Sequence, residues 1–157
     1  MIVVADTTPL NYLILLGEVE ILPALYDKVL IPQEVHREMS RPGAPDVVKA
    51  WASNIPPWCE LRTPLSPHDP SLAELDDGER DAIQLALDLG IEMLLMDEME
   101  GRKEALRLNL KVTGTISILE KAGQRGLLDF RSVLERLEKT NFRLSARIRA
   151  EFLARNP

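Results

Sequence analysis

The 157 residues are 45% apolar and 28% charged, with a formal charge of −6; this is the composition of an ordinary globular domain and excludes a disordered or fibrous chain. A single cysteine, Cys59, excludes an internal disulfide and a cysteine-based zinc site, and points to a reducing cytoplasm. No apolar run reaches the ~18 residues of a membrane span, and Met1 leads straight into an apolar run without a basic segment, so neither membrane insertion nor a signal peptide is expected.

In chain order, residues 2–5 (IVVA) read as a buried strand that ends abruptly at Asp6. PLNYLILL (9–16) reads as a helix with Pro9 in its first turn, where a missing N–H does no harm. A short helix over EVEILPALY, a β-branched run KVLIP and a helix QEVHREM follow. Residues 41–71 are proline-rich and read as loop, broken by a short helix near 47–52 and an edge segment near 59–61. LDDGERDAIQLALDLG carries the clearest helical stripe, Ala82, Ile83, Ala86 and Leu87, with Asp77 as the expected N-cap and Gly90 just past the end. EMLLMD is then a strand ending at Asp97, GRKEALRLNL a helix, KVTGT a strand and ISILEKAGQRG a helix. Strands alternating with helices of about ten residues predict an α/β fold with a parallel sheet. Residues 129–155 read as helical and amphipathic, closing one domain over 1–157. Charge is uneven: residues 121–157 hold nine Lys or Arg against four acids, a balance of +5, which leaves −11 on the remainder. A basic end on an acidic body suits local contact with a phosphate backbone, although a solvated helix face would give the same balance.

In an open parallel sheet, sites form outside the carboxyl ends of the strands. Asp6 and Asp97 both end apolar runs of strand character, Glu79 opens the clearest helix, and Glu38 lies in the helix after KVLIP. Singly, each has a plainer reading. Asp6 could cap the helix at Pro9, Glu79 could favour a helix dipole, and Glu38 could face solvent. Asp97 resists such a reading because Glu98 and Glu100 follow it, and crowded like charges need a cation or a basic group. Mg²⁺ or Mn²⁺ suits a carboxylate cluster, where it polarises a phosphodiester and activates water. The two histidines, His36 and His68, lie in contexts that build no nucleophile–base pair; His36 reads as an exposed helix residue and His68 falls in a proline-rich loop.

Together VVADTTPLNYLILLG, VLIPQEVHREM, LDDGERDAIQLALDLG, LLMDEMEGRKEALRLNLKVTGTISIL and NFRLS resemble, in order and spacing, the PIN-domain ribonucleases, in particular the VapC-like toxins and their relatives. The resemblance spans nearly the whole chain. It implies a three-layer α/β/α fold with a central parallel sheet of about four to five strands, and hydrolysis of RNA with one or two Mg²⁺ or Mn²⁺ ions. Asp6, Glu38, Glu79 and Asp97 match the family's four acids, with Glu34 a weaker match than Glu38. Thr7 or Thr8 matches the hydroxyl residue beside the first acid, Thr113 or Thr115 would line the pocket floor, and Glu98 and Arg102 would support the site. Arg102 would meet a substrate phosphate or pair with an acid. Two positions depart from the pattern: Met96 stands where many relatives have Thr or Ser, and Met99 where many have Asp or Asn. They motivate an alternative, a PIN-like module with weak or no catalysis that serves as a binding or scaffold protein. The resemblance further implies a homodimer and a small antitoxin partner; Leu10, Leu13, Ile14 and Leu16 offer an apolar face for such contacts. Arg143, Arg147 and Arg149 are the candidate RNA contacts, with Arg143 and Arg147 one helical turn apart. A haloacid-dehalogenase-type phosphatase needs a second Asp where Thr8 stands, and a phospho-receiver needs an acidic pair that VVADTT lacks.

Overall fold

The computed structural model describes residues 1–157. Five strands, β1 (Ile2–Ala5), β2 (Lys28–Pro32), β3 (Cys59–Arg62), β4 (Met93–Leu95) and β5 (Lys111–Thr113), form one sheet. The nine helices are α1 (Thr7–Leu15), α2 (Ile21–Leu25), α3 (Gln33–Ser40), α4 (Asp46–Ala52), α5 (Asp77–Leu89), α6 (Met99–Arg107), α7 (Thr115–Gln124), α8 (Phe130–Glu138) and α9 (Ala146–Arg155). All four strand pairings are parallel, in the order β3-β2-β1-β4-β5.

The strands are short, apolar runs because the sheet is covered on both faces. Alternation along β1 divides its residues between two cores. Val3 and Ala5 join a cluster with residues of α1, α3, α4, α7 and α8, whereas Val4 joins one built from α5, α6 and β4. This is the three-layer α/β/α arrangement implied by the family resemblance. Leu10, Leu13, Ile14 and Leu16, read above as a face for a partner, are instead all buried in the first cluster. Helix α1 is apolar around much of its circumference because α3, α4 and α7 pack against it, so these four residues belong to the core and not to a partner-facing surface.

The strand order puts β1 and β4 at the topological switch point. The chain leaves β1 toward β2 and β3, and leaves β4 toward β5 on the other side. A crevice therefore opens at their carboxyl ends, the place where doubly wound sheets bind ligands. The register pairs Ala5 with Leu95, which brings Asp6, on the β1 side, and Asp97, on the β4 side, to that crevice.

Local corrections concern caps and the C-terminal end. The N-cap of α5 is Asp76, whose carboxylate accepts the Glu79 N–H at 2.8 Å, and not Asp77, which lies inside the first turn, exposed and paired with Arg80. Gly90 closes α5 at φ +66°, a left-handed conformation that glycine adopts without strain. Residues 129–155 are two helices, α8 and α9, separated by 139–145. Arg143 lies in that connection, so it shares no helix face with Arg147. His36, expected to be exposed, is half-buried and its Nε2 lies 2.8 Å from the Ala52 carbonyl, tying α3 to α4.

Candidate active site

Asp6 occupies the N-cap position of α1, but its side chain makes no capping hydrogen bond. It is 3% exposed, and a carboxylate is taken out of water only where something offsets the cost. Burial, opposed by the Thr7 N–H and reinforced by the charges of Asp76, Glu38 and Glu98, pushes its pKa up to about 7. The plain reading of Asp6 as a helix cap therefore fails. Glu79, in the first turn of α5, is buried and pushed up to about 8, by burial first and then by Asp76, Asp6 and Glu98. Glu38 projects from α3 toward the same spot. A Cβ on Gly78 would stand 3.2 Å from Glu38 Oε1 and 3.5 Å from Asp6 Oδ1, so the missing side chain at Gly78 is what lets these carboxylates approach α5. Glu34, the weaker match to the second acid, is paired with Arg37, and Glu38 itself has Arg41 at 3.7 Å.

Asp97 stands on the β4 side. The Thr115 N–H donates to its Oδ1 at 2.9 Å and the Thr115 hydroxyl donates to its Oδ2 at 2.5 Å. The carboxylate thus sits on the N-terminus of α7, where backbone donors and the helix dipole favour it. Burial raises its pKa, against the opposing pull of Thr115 and Arg102. Two bonds leave further lone pairs free, since a carboxylate offers about four acceptor sites. Gly114 makes this geometry possible: a Cβ there would meet Asp97 Oδ1 at 2.8 Å and Arg102 Nη1 at 3.0 Å.

Of the supporting residues, Thr8, Glu98, Arg102 and Thr115 lie at the crevice. Thr7 is buried beside Asp6 with its Oγ1 unpartnered. Thr113 does not line the floor; its hydroxyl donates to Met93 Sδ at 3.1 Å, inside the sheet. Met96 is fully buried, and its sulfur would lie 2.5 Å from a Cβ on Gly101, so it packs under α6 as part of the second core. Met99 is 72% exposed on the crevice rim. Of the candidate RNA contacts, Arg149 is held by Glu138 at 2.8 Å and Arg147 lies 3.9 Å from Glu151, whereas Arg143 has no acidic partner and lines a cavity beside Asp97. Asp76 escaped the sequence reading, although its spacing of three from Glu79 is that of a capping box, the signal that could have found it.

The donors fit a hard divalent cation. They are carboxylates, two of them raised in pKa by burial and by each other's company, and an orphaned hydroxyl lies beside Asp6. Their present rotamers bring no three Asp, Glu, His or Cys groups around one point. The charges of Asp76, Glu38 and Glu98 act on Asp6, and those of Asp76, Asp6 and Glu98 on Glu79, while Asp97 is held by Thr115.

A family model for the PIN domain matches residues 2–156. The chain belongs to the PIN-domain family. Among solved structures, this PIN domain is similar to a PilT N-terminus domain protein, SSO1118, from the hyperthermophilic archaeon Sulfolobus solfataricus P2. The TM-score is 0.52 at 14% identity, over 92% of this chain and all of the other. None of the curated proteins matches the sequence. PIN domains are generally nucleases that use divalent metals, and the parallel α/β/α fold is that of the family. No helix of this PIN domain is long and apolar enough to cross a membrane.

Proposed function

We propose that this PIN domain is a metal-dependent endoribonuclease and acts as the toxin of a toxin–antitoxin pair in the cytoplasm. The observation that carries the nuclease reading is the approach of Asp6, Glu38 and Glu79 to one another at the β1–β4 crevice, with Asp97 on its β4 side. Asp6, Glu38 and Glu79, with Asp97 across the gap, would hold one or two Mg²⁺ or Mn²⁺ ions. When bound, such an ion lowers the pKa of a water and polarises a phosphodiester. Thr115 fixes the Asp97 carboxylate through both its oxygens, so this wall is positioned before substrate arrives. Arg102 and Arg143 bring positive charge to the rim of an otherwise acidic crevice, where an RNA backbone must enter. A homodimer and a small antitoxin that sets a basic side chain among the carboxylates belong to this reading through family membership.

The test is cleavage of a labelled RNA with Mg²⁺ or Mn²⁺, compared with EDTA and with Asp97→Asn. This substitution keeps shape and removes one charge. Cleavage should need the metal and be lost in the variant; full activity in Asp97→Asn with unchanged metal dependence would overturn the assignment. Two observations favour a second reading, a binding module with weakened catalysis: three donors do not surround one point, and Met99 stands where many relatives have Asp or Asn. That reading predicts RNA or protein binding with no cleavage at any metal concentration.

A further inference from the structure

A cavity of about 650 Å³ adjoins the carboxylates on the Asp97 side. Its walls come from α1, α6, α7 and the chain from Asn141 to Phe152. The lining mixes two chemistries that rarely serve one small ligand. Aromatic rings, Tyr12, Phe142 and Phe152, contribute apolar faces, while Arg102, whose charge acts on Asp97, and Arg143, which has no acidic partner, contribute positive charge. The arginines of α9 are engaged: Arg147, Arg149 and Arg155 pair with Glu151, Glu138 and Glu120. The aromatic wall is held in place. Tyr12 and Phe142 meet edge to face at 4.9 Å, and the Tyr12 hydroxyl donates to Asn141 Oδ1 at 2.7 Å, fastening the connection between α8 and α9 to α1.

We propose that this cavity receives one unstacked base of a single-stranded RNA, with its phosphate on Arg102 and Arg143, next to the scissile bond. The proposal rests on the nuclease reading for its choice of ligand, and extends it by naming the pocket that seats a base beside the carboxylates. A purely apolar ligand gives no role to the two guanidiniums, and a bare anion gives none to the rings. A base joined to a phosphate uses both, and aromatic stacking with arginine is how single strands are commonly held. The volume lies within the ~300–1,000 Å³ range of ordinary ligand pockets, so one splayed nucleotide fits and a paired helix does not. The cavity borders Asp97 and Glu98 directly, so a nucleotide seated there delivers its neighbouring phosphate to the carboxylate crevice. The NFRLS segment, residues 141–145, thereby gains a function, since it supplies the ring and the guanidinium at the cavity mouth.

The experiment is an abasic scan. An unstructured fluorescent RNA of about a dozen nucleotides, and copies carrying one abasic position each, are titrated by anisotropy against Glu79→Gln, a cleavage-deficient background outside the cavity lining. One or two adjacent positions should show a Kd weakened about tenfold when the base is missing. That penalty should vanish on Phe142→Ala and return with Phe142→Trp. Because Phe142 also packs against the core, Ser117→Trp provides a second arm. It adds bulk from the α7 wall without removing a packed side chain, and should likewise abolish the penalty. A small, uniform abasic cost along the strand would overturn the proposal, as would a penalty unchanged in both Phe142→Ala and Ser117→Trp, or no binding of single strands at all. Binding that ignores base removal would point to a protein segment as the occupant. Cleavage by the wild-type protein is read separately: a position-specific penalty without cleavage sinks the nuclease reading and leaves the base pocket standing.

Discussion

Asp6→Asn should stabilise the metal-free protein, by an amount that grows with pH. Asp6 is almost fully buried and its pKa is pushed from 3.8 to about 7, a shift of about 3 units at 1.36 kcal/mol each, or roughly 4 kcal/mol of cost to the ionised form. The native state keeps a proton that the unfolded chain has released between these two values, so the stability Asp6 contributes is fully present below about pH 4 and is lost as pH rises through about 7. Asparagine keeps the shape and never ionises. In EDTA, the variant should therefore match wild type near pH 3, exceed it by somewhat under ~2 kcal/mol at pH 5, and exceed it by about 4 kcal/mol at pH 8.5. For a chain of this length the last figure corresponds to a melting temperature higher by roughly 8–16 °C. Glu79, pushed up to about 8, titrates beside Asp6, so the two lose their protons as a pair and the observed rise is spread over their joint range. The assay is urea or thermal unfolding of both proteins at the three pH values. If Asp6→Asn is destabilising at high pH, or its gain does not grow with pH, then burial does not penalise the Asp6 carboxylate, and Asp6 gives no support to a cation site.

Three further outcomes are expected. Millimolar Mn²⁺ should raise the melting temperature of wild type at pH 8 by mass action on the native state, and raise that of Asp6→Asn much less; equal indifference to Mn²⁺ and EDTA would count against a metal site. Gly114→Ala should cost about 1–3 kcal/mol and most of the cleavage activity, because its Cβ collides with Asp97 Oδ1 and Arg102 Nη1, whereas Gly43→Ala, which meets nothing within 4 Å, should be silent in both unfolding and cleavage assays. Arg143→Ala should flatten the log–log salt dependence of RNA binding by about 0.7, while Arg149→Ala, which breaks an exposed pair with Glu138, should leave the slope unchanged and alter stability by under ~1 kcal/mol.

What the sequence discloses about the site follows from how each residue reaches it. Asp6 and Asp97 were legible because a parallel strand buried on both faces is a run of apolar residues, and a carboxylate ending such a run is conspicuous. The register of β1 on β4 then puts both at the switch point. Asp76 was not legible as a neighbour of Asp6, since its contact depends on how α5 packs across β1, a relation between elements that no local pattern encodes. The apolar residues of α1 misled for the opposite reason. A helix enclosed on several sides and a helix waiting for a partner have the same composition, and only the packing distinguishes them. The C-terminal arginines show the same limit. Counting charge over residues 121–157 treats Arg143, Arg147 and Arg149 alike, yet Glu138 and Glu151 take up two of them. The connection between α8 and α9 places Arg143 at the cavity instead. The net balance of that segment is therefore a poor guide to where RNA would bind. The position of one unpaired guanidinium beside Phe142 and Asp97 is a better one, because a phosphate gains most from a cation that has no acid of its own to satisfy.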